Sequence, residues 1–242
     1  MSNVVTRAIV LSSIKYGESS LIVQLFTENY GRQSFILSSK KGVRIHQGHI
    51  SLMPLSIVEV VIVDNQHTTL RRIKDVQPTY VFKFIPFDLI RRSITLFLGE
   101  LFYRSLQENV PDRGVFEFVT HVIEALDGGV DEGLPNFHLY VMYNLVRVLG
   151  VAPDVSNGSE KYFDLRAGSY SDIMPSHVDF FMGYDLELWR GVEKLTIESL
   201  REFTPTSDER QRILEMLEKY YSCHIPQFQP LKSREVLKIV LR

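Results

Sequence analysis

The spacing of apolar residues changes once along the chain, and this change limits the folds that the sequence can adopt. Up to residue 78, apolar residues alternate with polar ones or form short β-branched runs, as in residues 21–26 and 55–63. Such patterns are typical of strands with one buried face. Beyond residue 78, apolar residues recur at intervals of three and four, the spacing of one helical face. We therefore predict an α+β protein in which strands come first and helices follow.

Short strands with turn residues between them are expected in the first 78 residues. They cover residues 7–11, 21–26, 33–38, 55–63 and 68–73. Gly31 can adopt a positive φ and closes the clearest turn, at residues 28–31, whereas residues 39–49 form a polar, basic loop. Strands this short and closely spaced indicate a small β-barrel. An OB-type barrel and an SH3-like barrel would both give this pattern.

The remainder of the chain has the pattern of a series of helices. Pro86 is suited to the first position of a helix. Three apolar stripes follow: Ile90, Ile94, Phe97 and Leu101; Phe116, Val119, Ile123 and Leu126; and Phe137, Val141, Leu145 and Val148. Further helices are expected over residues 185–200, after a capping box at residues 206–209, and after Ser233. Residues 151–184 are rich in Ser, Gly and Asp and are expected to be irregular.

Charge is distributed unevenly between these two parts of the chain. Residues 1–78 contain nine Lys and Arg and five Asp and Glu, whereas the remainder contains 18 and 24. Because a basic half beside an acidic half is a recognised sign of an anionic partner, we expect the first part to contact a polyanion. We predict two domains, a nucleic-acid-binding barrel at residues 1–78 and a helical domain at residues 79–242.

Several classes of protein are not expected from this sequence. It has no apolar run of 18 residues and no basic stretch followed by an apolar core near its N-terminus, so we expect neither a membrane span nor a secretory signal. Cys223 is the only cysteine, which suits a reducing, cytoplasmic setting. Phosphate-loop, dinucleotide-binding and nucleophile-elbow motifs are missing, so we do not expect an enzyme. His46 and His49 form the only close histidine pair, without an acidic residue or cysteine nearby, and we expect no metal or cofactor.

A barrel that binds nucleic acid needs cations along the phosphates and aromatic rings for the bases. The candidate DNA-binding residues are Lys15, Arg32, Lys40, Lys41, Arg44, Arg71 and Arg72, and the candidate stacking residues are Tyr16, Tyr30 and Phe35. Lys40, Lys41 and Arg44 are the most suggestive, because they surround Gly42 in a predicted loop. Arg71 and Arg72 would point to opposite faces of a strand, so only one of them could line a given groove. The alternative is that the basic residues are merely solvated and that Phe35 lies in the core.

Segments spread over nearly the whole chain resemble, in the same order, the RecO family of recombination mediators. The N-terminal segments are residues 8–11 (AIVL), 16–23 (YGESSLIV), 25–27 (LFT) and 30–32 (YGR). The later ones are residues 52–55 (LMPL), 149–154 (LGVAPD) and 231–237 (LKSREVL). The resemblance implies an N-terminal OB-fold β-barrel followed by an all-helical domain.

The resemblance also implies a function in DNA repair. A member of this family would bind single- and double-stranded DNA, anneal complementary strands and, together with RecR, help to load RecA onto strands coated by single-strand-binding protein. The RecA filament would be an indirect partner, and the protein would be cytoplasmic and associated with the bacterial nucleoid. Candidates by residue type for holding the acidic C-terminal tail of single-strand-binding protein are Arg91, Arg92, Lys232 and Arg234.

The sequence departs from the family pattern at one place. Many members carry a four-cysteine zinc site after the segment that resembles residues 149–154, whereas residues 155–184 contain no cysteine. We therefore expect a zinc-free insertion at about residues 151–184, held together by the packing of Tyr162, Phe163, Leu165 and Tyr170.

Two other functions remain open from the residues alone. One is an RNA-binding module, because nothing in the sequence reveals a contact to a 2′-hydroxyl group. The other is an interaction scaffold without a nucleic-acid partner, which the net charge of −2 would suit.

Overall fold

The computed structural model describes residues 3–18, 20–38, 43–46, 52–63, 71–156 and 158–241. The chain divides into two compact units, Met1–Asp127 and Gly128–Arg242. The first unit contains a barrel and the two helices that follow it in the chain. The domain boundary after residue 78 remains a prediction.

A sheet in the first unit closes into a barrel. Its strands are β1 (Asn3–Tyr16), β2 (Ser20–Thr27), β3 (Gly31–Ser38), β4 (Arg44–Ile45), β5 (Ile57–Val63) and β6 (Arg71–Pro78). They lie in the order β3-β2-β1-β5-β6-β4, and a parallel pairing between β3 and β6 closes the ring. Among the described residues, five strands form the barrel, and the two-residue β4 pairs with β6 beside it. The prediction of an N-terminal OB-type barrel followed by helices is confirmed.

The barrel core follows from the alternation seen in the sequence. Val23 and Leu25 on β2 are almost completely buried, as are Phe35 and Leu37 on β3. Gln24 and Ile36, the residues between them, are only partly buried. The other strands add Ala8, Val10, Val58, Val60, Ile62, Ile73 and Val76 to the same cluster. Removal of this apolar surface from water is the main term that stabilises the barrel.

The last barrel strand differs most from its prediction. The sequence pattern predicts a strand over residues 68–73, but β6 runs from Arg71 to Pro78, and residues 64–70 lie outside the described part of the chain. A register shift against β5 leaves Lys74 without an opposite residue. Because such a bulge interrupts the period of two, Ile73 and Val76 both join the core although they are three residues apart.

Two helices of the first unit pack on the barrel, α1 (Leu89–Ser105) and α2 (Arg113–Glu124). Pro86 does not open α1, contrary to the prediction. It lies in a 3-10 turn at Ile85–Phe87, and Asp88 caps α1 by accepting a hydrogen bond from the N–H of Arg91 (2.8 Å). The absence of a side chain at Gly99 lets α1 approach β1 closely, because a Cβ atom there would lie 2.8 Å from the carbonyl oxygen of Leu11.

The predicted turn between β2 and β3 is present and has a second role. Gly31 has φ +70°, and a Cβ atom on it would lie 2.3 Å from the carbonyl oxygen of Val110. The N–H of Asn109 donates to the carbonyl oxygen of Arg32 (3.0 Å). The segment between α1 and α2 therefore packs directly against this turn, which only glycine permits.

In its described residues, the second unit combines four α-helices with a small sheet. The helices are α3 (Phe137–Val148), α4 (Gly183–Glu193), α5 (Ser207–His224) and α6 (Arg234–Val240). The antiparallel sheet has the order β8-β7-β9, with β7 (Tyr162–Asp164), β8 (Ser169–Ser171) and β9 (Phe180–Met182). Residues 151–184, which are expected to be irregular, therefore contain three short strands, and strands of three residues are too short to show an alternating pattern.

Aromatic side chains attach this sheet to the helices. Phe163 of β7 and Trp189 of α4 are fully buried with ring centroids 5.0 Å apart, and the Tyr220 ring of α5 lies 5.5 Å from that of Trp189. The predicted packing of the insertion is confirmed for Phe163 and Leu165, which are buried. Tyr162 and Tyr170 are partly buried, and their rings contact those of Phe180 and Phe163.

The ends of the helices agree only partly with the sequence signals. The predicted capping box is confirmed, because Thr206 and Glu209 bond reciprocally at the start of α5. Ser233 precedes α6, but its side chain forms no capping hydrogen bond. The buried apolar residue of α6 is Leu237, whereas Ile239 is largely exposed. The helix predicted over residues 185–200 ends earlier, at Glu193.

Candidate nucleic-acid interface

The outer surface of β1, β2 and β3 has two halves with different surroundings. Both consist of residues that alternate with the core residues and so face away from the barrel interior. We name as the covered half the positions Ile9, Phe26 and Arg32, which pack against α1, α2 and the segment between them. We name as the open half the positions Ile14, Tyr16, Ile22, Gln24, Ser34 and Ile36.

The covered half attaches the helices to the barrel. Ile9 and Phe26 are paired across β1 and β2, and both are buried. The Phe26 ring lies 5.6 Å from the ring of Phe116 in α2. Arg32, paired with Phe26 on β3, donates from Nε to the carbonyl oxygen of Leu106 (2.9 Å), just after α1 ends.

The open half is an apolar strip across three strands. Ile14, Ile22 and Ile36 are successive partners in the β1–β2–β3 register, and Arg72 of β6 is the partner of Ile36 on the far side. Ile14 is 60% exposed and Tyr16, the next residue on the same face of β1, is 58% exposed. This half therefore presents apolar side chains, one aromatic ring and a cation on its edge to solvent.

Two of the predicted cations are engaged within the protein. The Arg32 side chain is only 16% exposed, lies 3.9 Å from Glu108, and has its guanidinium 4.7 Å from the centroid of the Tyr103 ring. The guanidinium of Arg71, which is partly buried, lies over the ring of Tyr30 at 5.6 Å. As expected, the neighbouring Arg72 is oriented differently, and it is exposed.

The structure brings only part of the predicted set to one place. Arg72 is exposed at the β6 edge of the open half. Lys15 is also exposed, but it alternates with Ile14 and Tyr16 on β1 and is paired with Leu21, which packs against the core, so it belongs to the opposite face of the strand. Arg44 is also exposed, but it lies on β4 opposite Asp75. Lys40 and Lys41 lie outside the described residues. The DNA-binding assignment of all seven residues stays a prediction.

The three candidate aromatic residues have different environments. Phe35 is 0% exposed in the barrel core, which agrees with the alternative that this residue is a core residue and not a stacking residue. Tyr30 packs against the core beneath Arg71. Tyr16 alone of the three presents most of its side chain to solvent, so it is the one suited to stack on a base.

Two family models together match most of the chain. The model of the N-terminal part of recombination protein O matches residues 1–82, and that of its C-terminal part matches residues 86–235. The chain belongs to the RecO family. It is a DNA repair protein of that family, and the resemblance found in the sequence is confirmed.

RecO relatives match the chain along almost its full length. The DNA repair protein RecO of Flavobacterium psychrophilum is 34% identical over 240 residues, which cover 97% of this chain and 98% of the relative. That of Phocaeicola vulgatus is 31% identical over 234 residues, covering 96% and 97%. That of Porphyromonas gingivalis is 31% identical over 242 residues, covering 97% of both chains.

A buried carboxylate, which sequence reasoning missed, fixes the segment between barrel and helices in this RecO-family protein. Asp127 is 0% exposed and accepts hydrogen bonds from the N–H groups of Lys83 (2.8 Å), Phe84 (3.0 Å) and Ile85 (2.9 Å). The hydroxyl group of Tyr80 donates a further bond (3.0 Å). Burial alone raises the pKa of Asp127, but the four hydrogen bonds outweigh it and lower the pKa. Burial and the bond to Asp127 raise the pKa of Tyr80 to about 12.

The described residues contain neither a candidate metal cluster nor a membrane-spanning helix. No group of three or more His, Cys, Asp or Glu side chains that could hold a metal ion is present among the described residues. His46 lies 3.2 Å from Asp75, and His49 is outside the described residues. Across the described ranges, no helix is long and apolar enough to cross a bilayer.

Proposed function

We propose that this protein is a non-catalytic recombination mediator that binds DNA with the open half of its barrel. In this proposal it binds single- and double-stranded DNA, anneals complementary strands and helps to load RecA onto strands coated by single-strand-binding protein. RecR is the direct partner, and the acidic tail of single-strand-binding protein is a second contact. Membership of the RecO family supports this function.

The exposed residues of the open half support this proposal. Single strands are bound by aromatic side chains that stack on bases and by cations that follow the phosphates. Tyr16 supplies an exposed ring, Ile14 and Ile22 supply apolar contacts for bases, and Arg72 supplies an exposed cation at the β6 edge. Lys40 and Lys41 follow the last residue of β3, Ser38, by two and three positions in the sequence.

Annealing has a simple physical requirement. Two complementary strands are polyanions that repel each other, and a protein that neutralises phosphates on both reduces this repulsion. Binding to phosphates releases counterions, so the affinity falls steeply as the salt concentration rises. A salt-dependent affinity for DNA of any sequence is therefore the primary signature of the proposed function.

The first test is a titration of fluorescent single-stranded DNA at several salt concentrations. We expect the wild-type protein to bind, and the triple variant Lys40→Ala, Lys41→Ala, Arg44→Ala to bind more weakly at every sequence. If each residue contacts one phosphate, the slope of log K against log salt decreases by about 2. An unchanged slope would exclude this loop as the contact.

A matched control removes the same charge elsewhere. Lys161, Lys194 and Lys219 are exposed residues of the second unit, and their replacement by Ala leaves the open half intact. We expect this control to keep the wild-type slope. Competition between DNA and RNA oligonucleotides of matched sequence tests the alternative of an RNA-binding module, which predicts preferential displacement by RNA.

A further inference from the structure

A second surface of the first unit combines exposed aromatic rings with cations. It consists of Val81, Lys83, Phe84, Phe87, Leu89 and Arg92, and we name it the aromatic turn surface. Phe87 is 86% exposed, and Val81, Phe84 and Leu89 each expose half of their side chain or more. An exposed apolar group of this size, with charged residues beside it, is typical of a binding surface.

The local backbone places these side chains together. Phe84 and Phe87 begin and end a 3-10 turn, in which the N–H of Phe87 donates to the carbonyl oxygen of Phe84 (2.9 Å). Residues three apart in such a turn lie on the same side. Leu89 and Arg92 follow at the start of α1, also three apart, so they share one exposed face of the helix.

A buried anchor holds this turn rigid. The N–H groups of Lys83, Phe84 and Ile85 all donate to the carboxylate of Asp127, and Ile85 is fully buried. The guanidinium of Arg91 lies 5.5 Å from the centroid of the Phe84 ring. A turn whose backbone is held in place before binding loses little conformational entropy when a partner stacks on its rings.

The exposed charge of the aromatic turn surface is positive. Lys83 and Arg92 are exposed, and neither forms an ion pair with a described residue. Asp88 is the only acidic residue between positions 79 and 99, and its carboxylate faces Arg91 at 3.4 Å. Such a surface complements an anionic partner that also carries flat apolar groups.

This surface is remote from the open half. The aromatic turn follows the C-terminal end of β6, at Pro78, whereas Arg72 lies near its N-terminal end. Six residues of extended strand separate these two points by roughly 20 Å. One molecule could therefore hold a strand on each surface at the same time.

We propose that the aromatic turn surface is a second binding site for single-stranded nucleic acid. Phe87 and Phe84 stack on bases, while Lys83 and Arg92 contact the phosphates. This inference rests on the proposed function, in which a first strand occupies the open half. Two strands on one molecule meet at a high effective concentration, which accelerates their pairing.

The test uses two short, non-complementary single strands, one with a donor fluorophore and one with an acceptor. We expect the wild-type protein to bring both together, seen as energy transfer, and to anneal complementary strands. The double variant Phe87→Ala, Arg92→Ala should still bind one strand with wild-type affinity. Its affinity for the second strand and its annealing rate should each fall about tenfold, because base stacking of this strength is lost.

A control variant changes the same kinds of side chain on another helix. Lys238→Ala with Ile239→Ala removes an exposed cation and a neighbouring exposed apolar residue from α6. We expect it to form the three-component complex and to anneal strands as the wild type does.

Several results would overturn the inference. If the wild-type protein binds one strand but never two, or if the double variant anneals normally, the aromatic turn surface holds no strand and the proposed function is untouched. If the double variant changes the molecular mass in light scattering, the surface joins two copies of the chain instead. Displacement of the second strand by an acidic peptide that leaves the first strand bound would assign the surface to a protein partner. If the wild type binds no single strand at all, the proposed function fails as well.

Discussion

The covered and open halves of the barrel surface belong to the same three strands, yet they serve different purposes. Phe26 and Ile22 both lie on the outer face of β2, four residues apart, but Phe26 is 1% exposed beneath α2 and Ile22 is accessible to solvent. Arg32 and Arg72 differ in the same way, since the first binds Leu106 and the second is exposed. The position of the helices, rather than the strand pattern, therefore decides which residues stabilise the fold and which remain available to a ligand.

The largest expected effect comes from Phe26→Ala in the covered half. Removing a buried ring that contacts Phe116 leaves a cavity, so the free energy of unfolding should fall by about 3–5 kcal/mol. Urea denaturation followed by circular dichroism measures this loss. The matched change in the open half, Ile14→Ala, should cost less than about 0.5 kcal/mol. Equal losses at the two sites would refute the division of the surface.

The next largest effect is expected at Asp127, whose carboxylate holds the segment between the barrel and α1. Asp127→Asn replaces an acceptor of four hydrogen bonds by an amide with its own donors, so the free energy of unfolding at neutral pH should fall by about 2–3 kcal/mol. The pKa of Asp127 is lowered in the folded protein. Its contribution is therefore complete above the unfolded pKa of about 4 and is lost as the pH falls through the native pKa.

This pH dependence distinguishes the charge from simple packing. Denaturation of the wild type and of the Asp127→Asn variant is measured at neutral and at acidic pH. The difference between their free energies of unfolding should be smaller at acidic pH. A difference that stays constant would mean that the carboxylate contributes through its shape alone.

The smallest expected effect sharpens the comparison between the two arginines. Arg32→Ala should lower the free energy of unfolding by about 1–2 kcal/mol, because it removes the bond to Leu106 and the contact with Tyr103. The same variant should leave the affinity for DNA nearly unchanged. Arg72→Ala should change stability by less than about 0.5 kcal/mol and reduce the salt slope for single strands by about 0.7. Denaturation and salt titration of both variants give the four numbers. The reverse pattern would show that Arg32 is the DNA contact.

The positions of β2 and β3 could be anticipated from the sequence, but the outer surface of the barrel could not. The alternation at residues 21–26 and 33–38 predicts β2 and β3 correctly. The last part of β1 was missed, because the register shifts between Val10 and Ser12 and thereby interrupts the alternation before Ile14 and Tyr16. The open half begins at this irregularity, so the local pattern does not reveal it.

The role of Asp127 is also hidden from local sequence. It follows an apolar stripe and precedes two glycines, as a residue at a helix end would, yet its four donors lie 42 to 47 residues earlier in the chain. Lys15, Arg32, Arg44, Arg71 and Arg72 could be selected by residue type, but only tertiary contacts distinguish Arg32 from Arg72. Contacts between such distant positions depend on how α1 and α2 pack, which residue spacing alone does not specify.

Trp189 is the only tryptophan in the chain, and its ring neighbours Tyr143, Phe163, Phe181 and Tyr220 all belong to the second unit. The intrinsic fluorescence of Trp189 therefore reports on the folding of the second unit and not on that of the barrel. Ellipticity, in contrast, records both units. Superimposed melting curves from the two signals would mean that the protein opens as a single cooperative block, whereas separated curves would resolve two steps without any added label.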